Sequence, residues 1–156
     1  MRRLRRAAVV GVPVLLVAAL ALSGLGVAAG GGAKGGKTFT LTGKPAGNEE
    51  IDLGAPGPSP GDMLVGRAEL FRGAKKVGSA RFTCIFNLGT GVMCTNHAHL
   101  FGRGQIVSQQ SGDPSKGPVV IDAITGGTGE FRKARGQVRA DFSDPAGARI
   151  TFTLFR

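Results

Sequence analysis

A glycine-rich segment, ITGGTGEFRKARGQV at residues 124–138, is the first part of this sequence whose composition suggests chemistry. Its glycines are Gly126, Gly127, Gly129 and Gly136. Glycine-rich loops cradle phosphates when they open a helix, either as Gly-Lys-Ser/Thr or as Gly-x-Gly-x-x-Gly. Here the last glycine leads into residues 138–142, which alternate apolar and polar side chains as a strand does. The segment therefore predicts a tight connection between two strands, in which glycine allows positive φ angles and close contact between chains.

Two cysteines and two histidines could be drawn as ligands of a metal ion. They are Cys84, Cys94, His97 and His99. Side chains alternate between the two faces of a strand, so Cys94 and His97 would point in opposite directions, and we predict no metal site. A turn-rich loop at residues 87–91 would instead place Cys84 directly opposite Cys94 on paired strands, close enough to bridge. We predict a disulfide between them, as expected in an exported protein.

The spacing of polar residues shows no nucleophile elbow, catalytic triad or paired-carboxylate arrangement. Asn96 is a polar residue on the otherwise apolar face of a predicted strand. An unpartnered buried amide costs about 1–3 kcal/mol, so Asn96 either bonds neighbouring backbone or meets a ligand. Gln105, which follows a Gly-Arg-Gly turn, is a second amide candidate near one end of the fold.

Eight short strand-like segments account for most of the chain beyond residue 37. They lie at residues 38–42, 63–72, 77–86, 92–100, 105–109, 119–125, 137–142 and 148–155. Residues 44–48 interrupt the first strand, and residues 49–53 are a candidate for its resumption. Glycine and proline separate them and no helical period is sustained, which predicts an all-β fold, either a barrel or a sandwich. Eight antiparallel strands can close into a barrel whose interior is filled by side chains or holds one small ligand.

Alternation along these strands separates an apolar face, which we assign to the interior, from a charged one. The candidate ligand-binding residues on or near the apolar face are Asn96, Gln105, Phe82, Phe142 and Phe152. Asp62 and Asp122 lie near predicted turns and are expected to cap loops. The proline-rich segment at residues 54–62 is expected to be a stiff loop, either a lid over one mouth of the barrel or a plain connector.

The glycine segment also carries a family resemblance. Its Ile-x-Gly-Gly-Thr-Gly-x-Phe-x-x-Ala-x-Gly pattern resembles a block near the C-terminus of the allene oxide cyclase barrel and of plant dirigent proteins. The matching residues are Ile124, Gly126, Gly127, Thr128, Gly129, Phe131, Ala134 and Gly136. A second match, to bacterial members, covers residues 52–54 and 58–62. The resemblance extends over about residues 52–155 and implies an eight-stranded antiparallel β-barrel rather than a sandwich.

The resemblance implies a function as well as a fold. Allene oxide cyclase cyclises a reactive fatty-acid epoxide inside an apolar barrel, and dirigent proteins steer phenoxy radicals or quinone methides, in both cases without a cofactor. It thus implies a small hydrophobic ligand, no cofactor and assembly as a dimer or trimer. Whether the chain is an enzyme stays open; if it is, the resemblance implies a cofactor-independent isomerase or cyclase. The plant enzymes' acid and base residues lie outside the matched block, so no catalytic residue carries over. The alternative is a non-catalytic secreted binding or structural barrel associated with the cell envelope.

The N-terminal segment predicts export. Four arginines at positions 2, 3, 5 and 6 precede an uncharged stretch at residues 7–29 that ends in Val-Ala-Ala. This is typical of a signal peptide cleaved after Ala29, which gives a secreted protein. An uncleaved segment of this length would instead anchor the chain in a membrane. We therefore divide the chain into a signal peptide (residues 1–29), a Gly/Lys-rich linker (30–37) and a barrel domain (38–156).

Charge argues against nucleic acid as a partner. The chain carries a formal charge of +10, and loss of the four arginines of the signal peptide leaves +6. The densest basic clusters, at residues 75–76 and 132–135, lie beside glycines in predicted turns, and the chain has no Trp or Tyr on which bases could stack. Contact with an anionic cell envelope is compatible with this charge.

Overall fold

The computed structural model describes residues 36–155 apart from residues 55, 88 and 90. The predicted signal peptide lies outside the described residues, as does the predicted linker except for Gly36 and Lys37. The strands are β1 (Lys37–Ile51), β2 (Met63–Arg72), β3 (Lys75–Phe86), β4 (Val92–Leu100), β5 (Gly104–Gly112), β6 (Val119–Gly127), β7 (Arg135–Asp141) and β8 (Ala148–Phe155). Single 3₁₀ turns, Pro114–Lys116 and Gly129–Phe131, connect β5 to β6 and β6 to β7. Within this part of the chain no helix has the length and apolar character needed to cross a membrane.

The sheet closes on itself. Each strand pairs antiparallel with the next along the chain, and β1 pairs with both β2 and β8. The prediction of an all-β, eight-stranded antiparallel barrel is therefore confirmed. Alternating side chains stabilise this arrangement, because one face of every strand is buried in the interior while the other meets solvent. Closure also pairs the backbone groups that an open sheet would leave along its edges.

β1 is longer than the sequence predicted, because a bulge carries it past a proline. The strand predicted at residues 38–42 continues to Ile51, with a shift of register between Pro45 and Gly47. Pairing with β8 ends where Gly43 lies opposite Ala148. Pro45 therefore lies where β1 has one free side, and a residue without an N–H is tolerated at such a position and at a bulge.

The barrel has two unlike ends. The closed end contains the β2–β3 and β4–β5 turns, the β6–β7 connection, the start of β1 and the finish of β8. The open end contains the loops at residues 52–62, 87–91, 113–118 and 142–147. Side chains fill the closed end, where each of these is at most 3% exposed: Leu41, Leu70, Leu100, Ile106, Phe131 and Phe152. Phe39 adds to this core by stacking on Phe152, with ring centroids 4.9 Å apart.

The glycine segment connects two strands, as predicted, and it plugs the closed end. Its 3₁₀ turn, Gly129–Phe131, directs Phe131 into the core. The backbone N–H of Glu130 donates to the carbonyl oxygen of Arg103 (2.8 Å), which ties the turn to the β4–β5 connection. Gly129 has φ +60°, and a Cβ atom there would collide with that same carbonyl group. The glycines therefore allow a close approach between two backbones.

Asp62 fixes the proline-rich loop at the open end. Its carboxylate accepts hydrogen bonds from Leu53 N (2.8 Å) and Ser59 N (2.6 Å), as its predicted loop-capping role requires. These backbone donors hold the pKa of Asp62 below its ordinary value. Phe86 in β3 donates to the Asp62 carbonyl and accepts from Gly61 N, both at 2.9 Å. The loop is thereby tied to the rim at β3, which favours a connector over a free lid.

Cys84 and Cys94 form a disulfide, as predicted. They occupy directly opposed positions on β3 and β4, with Cα atoms 4.0 Å apart. Cys94 is 6% exposed, so the bond lies on the inward face. It cross-links the two strands near the open end of the barrel.

Replacing Gly136 by Ala is expected to destabilise the barrel by about 2–4 kcal/mol. Gly136 has φ +140°, which strains alanine, and the new Cβ would collide with the carbonyl oxygen of Thr153 in β8. Gly126→Ala is the matched control, because a Cβ at Gly126 meets no atom within 4 Å. Its free energy of unfolding should change by less than about 0.5 kcal/mol. Urea unfolding followed by circular dichroism measures both, and equal effects would contradict the architectural role of Gly136.

Peptide mapping without reduction should recover Cys84 linked to Cys94. The two residues are 10 apart in sequence, so the disulfide closes a short ring. For a ring of this size, the loop-entropy relation predicts that replacing both cysteines by serine lowers the free energy of unfolding by about 2–3 kcal/mol. Two free thiols in the purified protein, or an unchanged urea midpoint in the double variant, would refute this account.

Candidate functional site

Strand register places a row of inward-facing residues midway along the barrel. Gly66 on β2 lies opposite Phe82 on β3, which lies opposite Asn96 on β4. Asn96 in turn lies opposite Ser108 on β5. The Phe82 ring lies over Gly66, at the place where a Cβ atom would be. This row is the floor of what we call the open half of the lumen, which extends from it to the open end.

The walls of the open half are apolar and reach solvent. The apolar inward-facing residues between the floor and the open end that are partly exposed include Leu64, Phe86, Val120 and Ala140, and the polar Gln110 is partly exposed among them. In the closed half the central side chains, among them Leu41, Leu70 and Phe152, are at most 2% exposed, and Phe39, Ala80 and Leu154 are partly buried against them. Partial exposure on an inward face of the open half indicates that solvent reaches this part of the wall.

Three polar side chains meet on the wall just above the floor. Ser108 Oγ donates a hydrogen bond to Asp122 Oδ2 at 2.7 Å, and Asn96 Nδ2 donates to the same oxygen at 2.9 Å. Asp122 is 5% exposed and Ser108 is 4% exposed. The three residues come from neighbouring strands, β6, β5 and β4, and we call them the lumen trio. Two donors on one oxygen fix the orientation of the carboxylate.

The other carboxylate oxygen of Asp122, Oδ1, takes part in neither hydrogen bond. Across the described residues, no buried side-chain nitrogen or oxygen lacks a hydrogen-bond partner. Because no described residue bonds Oδ1, this atom retains contact with solvent, and the inward position of Asp122 directs it to the lumen. Asp122 therefore offers one fixed oxygen and one available oxygen to a molecule in the open half.

Burial raises the pKa of Asp122 above its ordinary value, and the hydrogen bonds from Ser108 and then Asn96 partly oppose the shift. The charged form loses hydration in the barrel wall, whereas the two donors stabilise it. A carboxylate whose pKa is raised accepts a proton more readily, which is the property required of a general base.

A cleft lies at the open end, where β5 and β6 separate. The pairing of β5 with β6 covers residues 106–109 of β5 and extends no further toward the open end. The cleft along this seam has a volume of about 250 Å³ and reaches Gln110 and Val120. Gln110 is the next inward-facing residue after Ser108 on β5, and Val120 is the inward-facing residue before Asp122 on β6. The cleft therefore ends at the inward-facing positions adjacent to the trio. Its volume lies just below the range of about 300–1,000 Å³ that is typical of small-molecule sites.

The five candidate ligand-binding residues have different environments. Asn96 and Phe82 line the open half of the lumen, at the site. Phe152 is 2% exposed within the packed closed end. Phe142 follows β7 and is 58% exposed. Gln105 is exposed on the outer face near the closed end. The structure therefore brings two of the five together with the trio and leaves the other three elsewhere.

Asp122 and Ser108 are the site residues that sequence reasoning missed. The prediction that Asp122 caps a loop is wrong, because it is the fourth residue of β6 and faces the interior. Residues 119–124 are apolar on both faces apart from Asp122, so alternation could not orient this strand. The usable signal was Ile124 of the glycine block, because an inward Ile124 places Asp122, two residues earlier, on the same face.

The described part of the chain contains no group of three His, Cys, Asp or Glu side chains close enough to hold a metal ion. His97 and His99 are both exposed on the outer face of β4. His99 packs edge-on against Phe101, with ring centroids 5.7 Å apart. This pair therefore lies on the opposite side of the barrel wall from the trio.

Comparison with known proteins identifies relatives by structure. No protein-family model matches the sequence, and no curated protein matches it. A pyocyanin demethylase superposes with a TM-score of 0.67 at 27% identity, over 75% of this chain and 99% of the other. AbnU, described as an exo-specific intermolecular Diels-Alderase, superposes with 0.64 at 14% identity, over 79% and 100% of the two chains. The pterocarpan synthase dirigent protein GePTS1 superposes with 0.56 at 23% identity, over 78% and 90%.

The geometry and these superpositions define the class of the protein as a closed, eight-stranded antiparallel β-barrel. Within that class, the chain has the allene oxide cyclase/dirigent-like barrel fold. This finding confirms the resemblance carried by the glycine segment.

Asp122 should make the barrel less stable as the pH rises. Because its pKa is higher in the folded chain than in the unfolded chain, the folded state binds more protons between the two values. Its contribution to the free energy of unfolding therefore falls as the pH rises through that window, by about 1.4 kcal/mol for each unit of pKa difference. Asp122→Asn should remove this dependence while keeping an oxygen acceptor for Ser108 and Asn96.

The measurement is the difference in free energy of unfolding between Asp122→Asn and the wild type, from about pH 3 to about pH 7. The variant should gain stability relative to the wild type as the pH rises. The pKa values of Asp62, Glu130 and Asp141 are lowered, which gives the opposite dependence, but these residues are common to both proteins and cancel. A difference that does not change with pH would contradict the burial of a charged Asp122.

Proposed function

We propose that this protein is an exported barrel that binds a small, largely apolar molecule in the open half of its lumen and steers its cyclisation or isomerisation. The observation that carries the proposal is the lumen trio, in which Ser108 and Asn96 fix one oxygen of Asp122 and leave the other available. Burying a carboxylate is costly, and one that serves packing alone is expected to have both oxygens bonded. An available oxygen in an apolar wall is suited to a ligand.

The shape and chemistry of the open half define the class of ligand. Its walls favour an apolar body, and the face of the Phe82 ring favours a planar or conjugated one. The available oxygen of Asp122 accepts a hydrogen bond, so the ligand carries a hydroxyl, an N–H or an acidic C–H at one position. A single polar group on an apolar body lets the molecule enter in one orientation.

Catalysis in such a site comes first from confinement. Holding two reacting parts of one molecule in contact removes much of the entropic barrier to ring closure. Asp122 contributes by taking and returning a proton at the polar group of the ligand, or by stabilising positive charge that develops near Oδ1. Ser108 and Asn96 act through Oδ2 and are positioning residues. Cyclisation and isomerisation rearrange bonds within one molecule, so the proposed reaction needs no external oxidant and no cofactor.

The fold relatives support this reaction class by their described activities. AbnU is described as a Diels-Alderase, as is AbmU, which comes from Streptomyces koyangensis, and another fold relative is described as a cyclase that catalyses [4 + 2] cycloaddition. In such reactions the protein's main task is to hold apolar partners in one orientation. The open half of this lumen meets the same requirement.

Export rests on two independent observations. Arginines followed by an uncharged stretch form the N-terminal pattern of a signal peptide. The Cys84–Cys94 disulfide belongs to an oxidising compartment. We therefore propose that the barrel acts outside the cytoplasm, on a secreted or envelope-derived molecule.

Binding without catalysis is the second candidate function. It is favoured by the composition of the trio, in which Asp122 is the one titratable group and both other residues serve its Oδ2 atom. Incubation of an identified ligand with the protein, followed by liquid chromatography and mass spectrometry, separates the two functions. A rearranged product supports the cyclase or isomerase, whereas unchanged bound ligand supports the binding protein.

A panel of conjugated apolar molecules that carry one hydroxyl or amine should contain ligands that raise the melting temperature and form a complex in native mass spectrometry. Asp122→Asn should weaken their affinity by about tenfold or more, because a hydrogen bond to a charged acceptor contributes about 1.5–3 kcal/mol. Gly66→Val should abolish binding, because the new side chain displaces the Phe82 ring into the lumen.

The matched control is Glu49→Gln, which removes one negative charge from an exposed residue on the outer face at the open end. Its affinity should equal that of the wild type. Full affinity in both Asp122→Asn and Gly66→Val would show that the ligand binds outside the lumen. A panel without any stabilising ligand would overturn the proposal.

A further inference from the structure

The two ends of the barrel carry opposite charge. Among the described residues, the closed end holds basic residues at positions 37, 72, 75, 76, 103, 132, 133 and 135, against acidic residues at 69 and 130. The open end holds acidic residues at positions 49, 50, 52, 62, 113, 141 and 144, against basic residues at 116, 139 and 149. The formal charges are therefore +6 at the closed end and −4 at the open end.

The charge of the closed end is available to a partner. Within it, salt bridges join Lys76 to Glu69 and Arg103 to Glu130. Other basic side chains are exposed and form no ion pair with a described residue: Arg72, Lys75, Arg132 and Lys133. They lie on two different connections, so the positive surface spans the width of the barrel end.

Aromatic side chains project from the same surface. Phe101, at the β4–β5 turn, is 50% exposed, and Phe155, at the finish of β8, is 41% exposed. A cleft of about 230 Å³ beside Phe101 has an apolar floor that includes Leu100 and a rim that includes Arg72 and Lys75. Cationic side chains around apolar ones suit the headgroup level of an anionic bilayer, where the apolar groups enter the acyl boundary and the cations meet phosphates.

The chain path connects this end to the membrane. β1 begins at Lys37 in the closed end, so residues 1–36, with the uncharged stretch at 7–29, join the barrel there. A signal segment of this kind lies in the membrane during export. During export the closed end is therefore the end of the barrel that the chain joins, through residues 30–36, to the predicted signal segment.

From these observations we propose that the closed end of the barrel is a docking surface for an anionic phospholipid bilayer. The positive end is attracted to the lipid surface and the negative end is repelled, so the barrel stands with its open end directed away from the membrane. Phe101 inserts at the headgroup level beside the basic rim. This inference does not depend on the identity or the existence of a lumen ligand.

The test uses the secreted form, residues 30–156, which contains the whole closed sheet and its core. It should co-sediment with vesicles of equal parts phosphatidylglycerol and phosphatidylcholine, remain in solution with phosphatidylcholine alone, and be released at about 0.5 M salt. Replacing Lys75, Arg132 and Lys133 by Glu should weaken the partition at least about tenfold. Phe101→Ser should weaken the partition onto these vesicles about threefold or more. Met93→Ser is the control for an apolar residue outside the closed end, since Met93 is 56% exposed, and it should leave the partition unchanged.

The matched control for charge replaces Arg81, Lys116 and Arg149, which are exposed and lie outside the closed end, by Glu. Net charge changes equally in the two triple variants, so the control should bind vesicles within about twofold of the wild type. The proposal would be overturned if both triple variants lost vesicle binding equally, or if the closed-end variant kept its binding. It would also be overturned if the wild type bound both kinds of vesicle equally. Release of the wild type by millimolar glycerol phosphate would overturn it in favour of a soluble phosphate ligand.

Discussion

The pairing of β1 with two different strands is the constraint on which the rest of the barrel depends. Its first part pairs with β8 and its later part with β2, and the two stretches overlap at Thr42 and Gly43. This division closes the sheet and fixes its curvature. Curvature in turn brings Asn96 and Asp122, which are 26 residues apart in sequence, within one hydrogen bond. An open sheet would place the same side chains on a broad face where water reaches all of them.

Closure creates a narrow interior that the sequence fills unevenly. The interior of an eight-stranded barrel can be packed by side chains or can hold a small ligand. Here side chains pack the closed half, and the open half is the site proposed for a ligand. Phe39, Phe131 and Phe152 pack the closed half, which supplies the apolar burial that stabilises the fold. The open half contains Asp122, whose burial is unfavourable and is offset by Ser108 and Asn96. Groups that a fold buries at a cost concentrate at functional sites.

Most of the fold could be predicted from the sequence because its signals are local. Alternation located the strands, the turn at residues 87–91 fixed the register of Cys84 and Cys94, and the glycine block identified the type of barrel. The continuity of β1 through Pro45 could not be predicted, since a proline that ends an ordinary strand is tolerated at a bulge with one free side. The trio depends on contacts among three strands, and the uniformly apolar β6 left the direction of Asp122 undetermined.

The packed closed end restricts how a small molecule could enter and leave the lumen. Phe131 and Phe152 block passage toward that end, so a molecule that enters beside Gln110 and Val120 leaves by the route it came. Under the proposed function, a chamber with one entrance would admit one ligand at a time, and a reacted molecule would exclude the next until it dissociated. Turnover would then depend on product release as much as on chemistry, and the product would act as a competitive inhibitor of its own precursor.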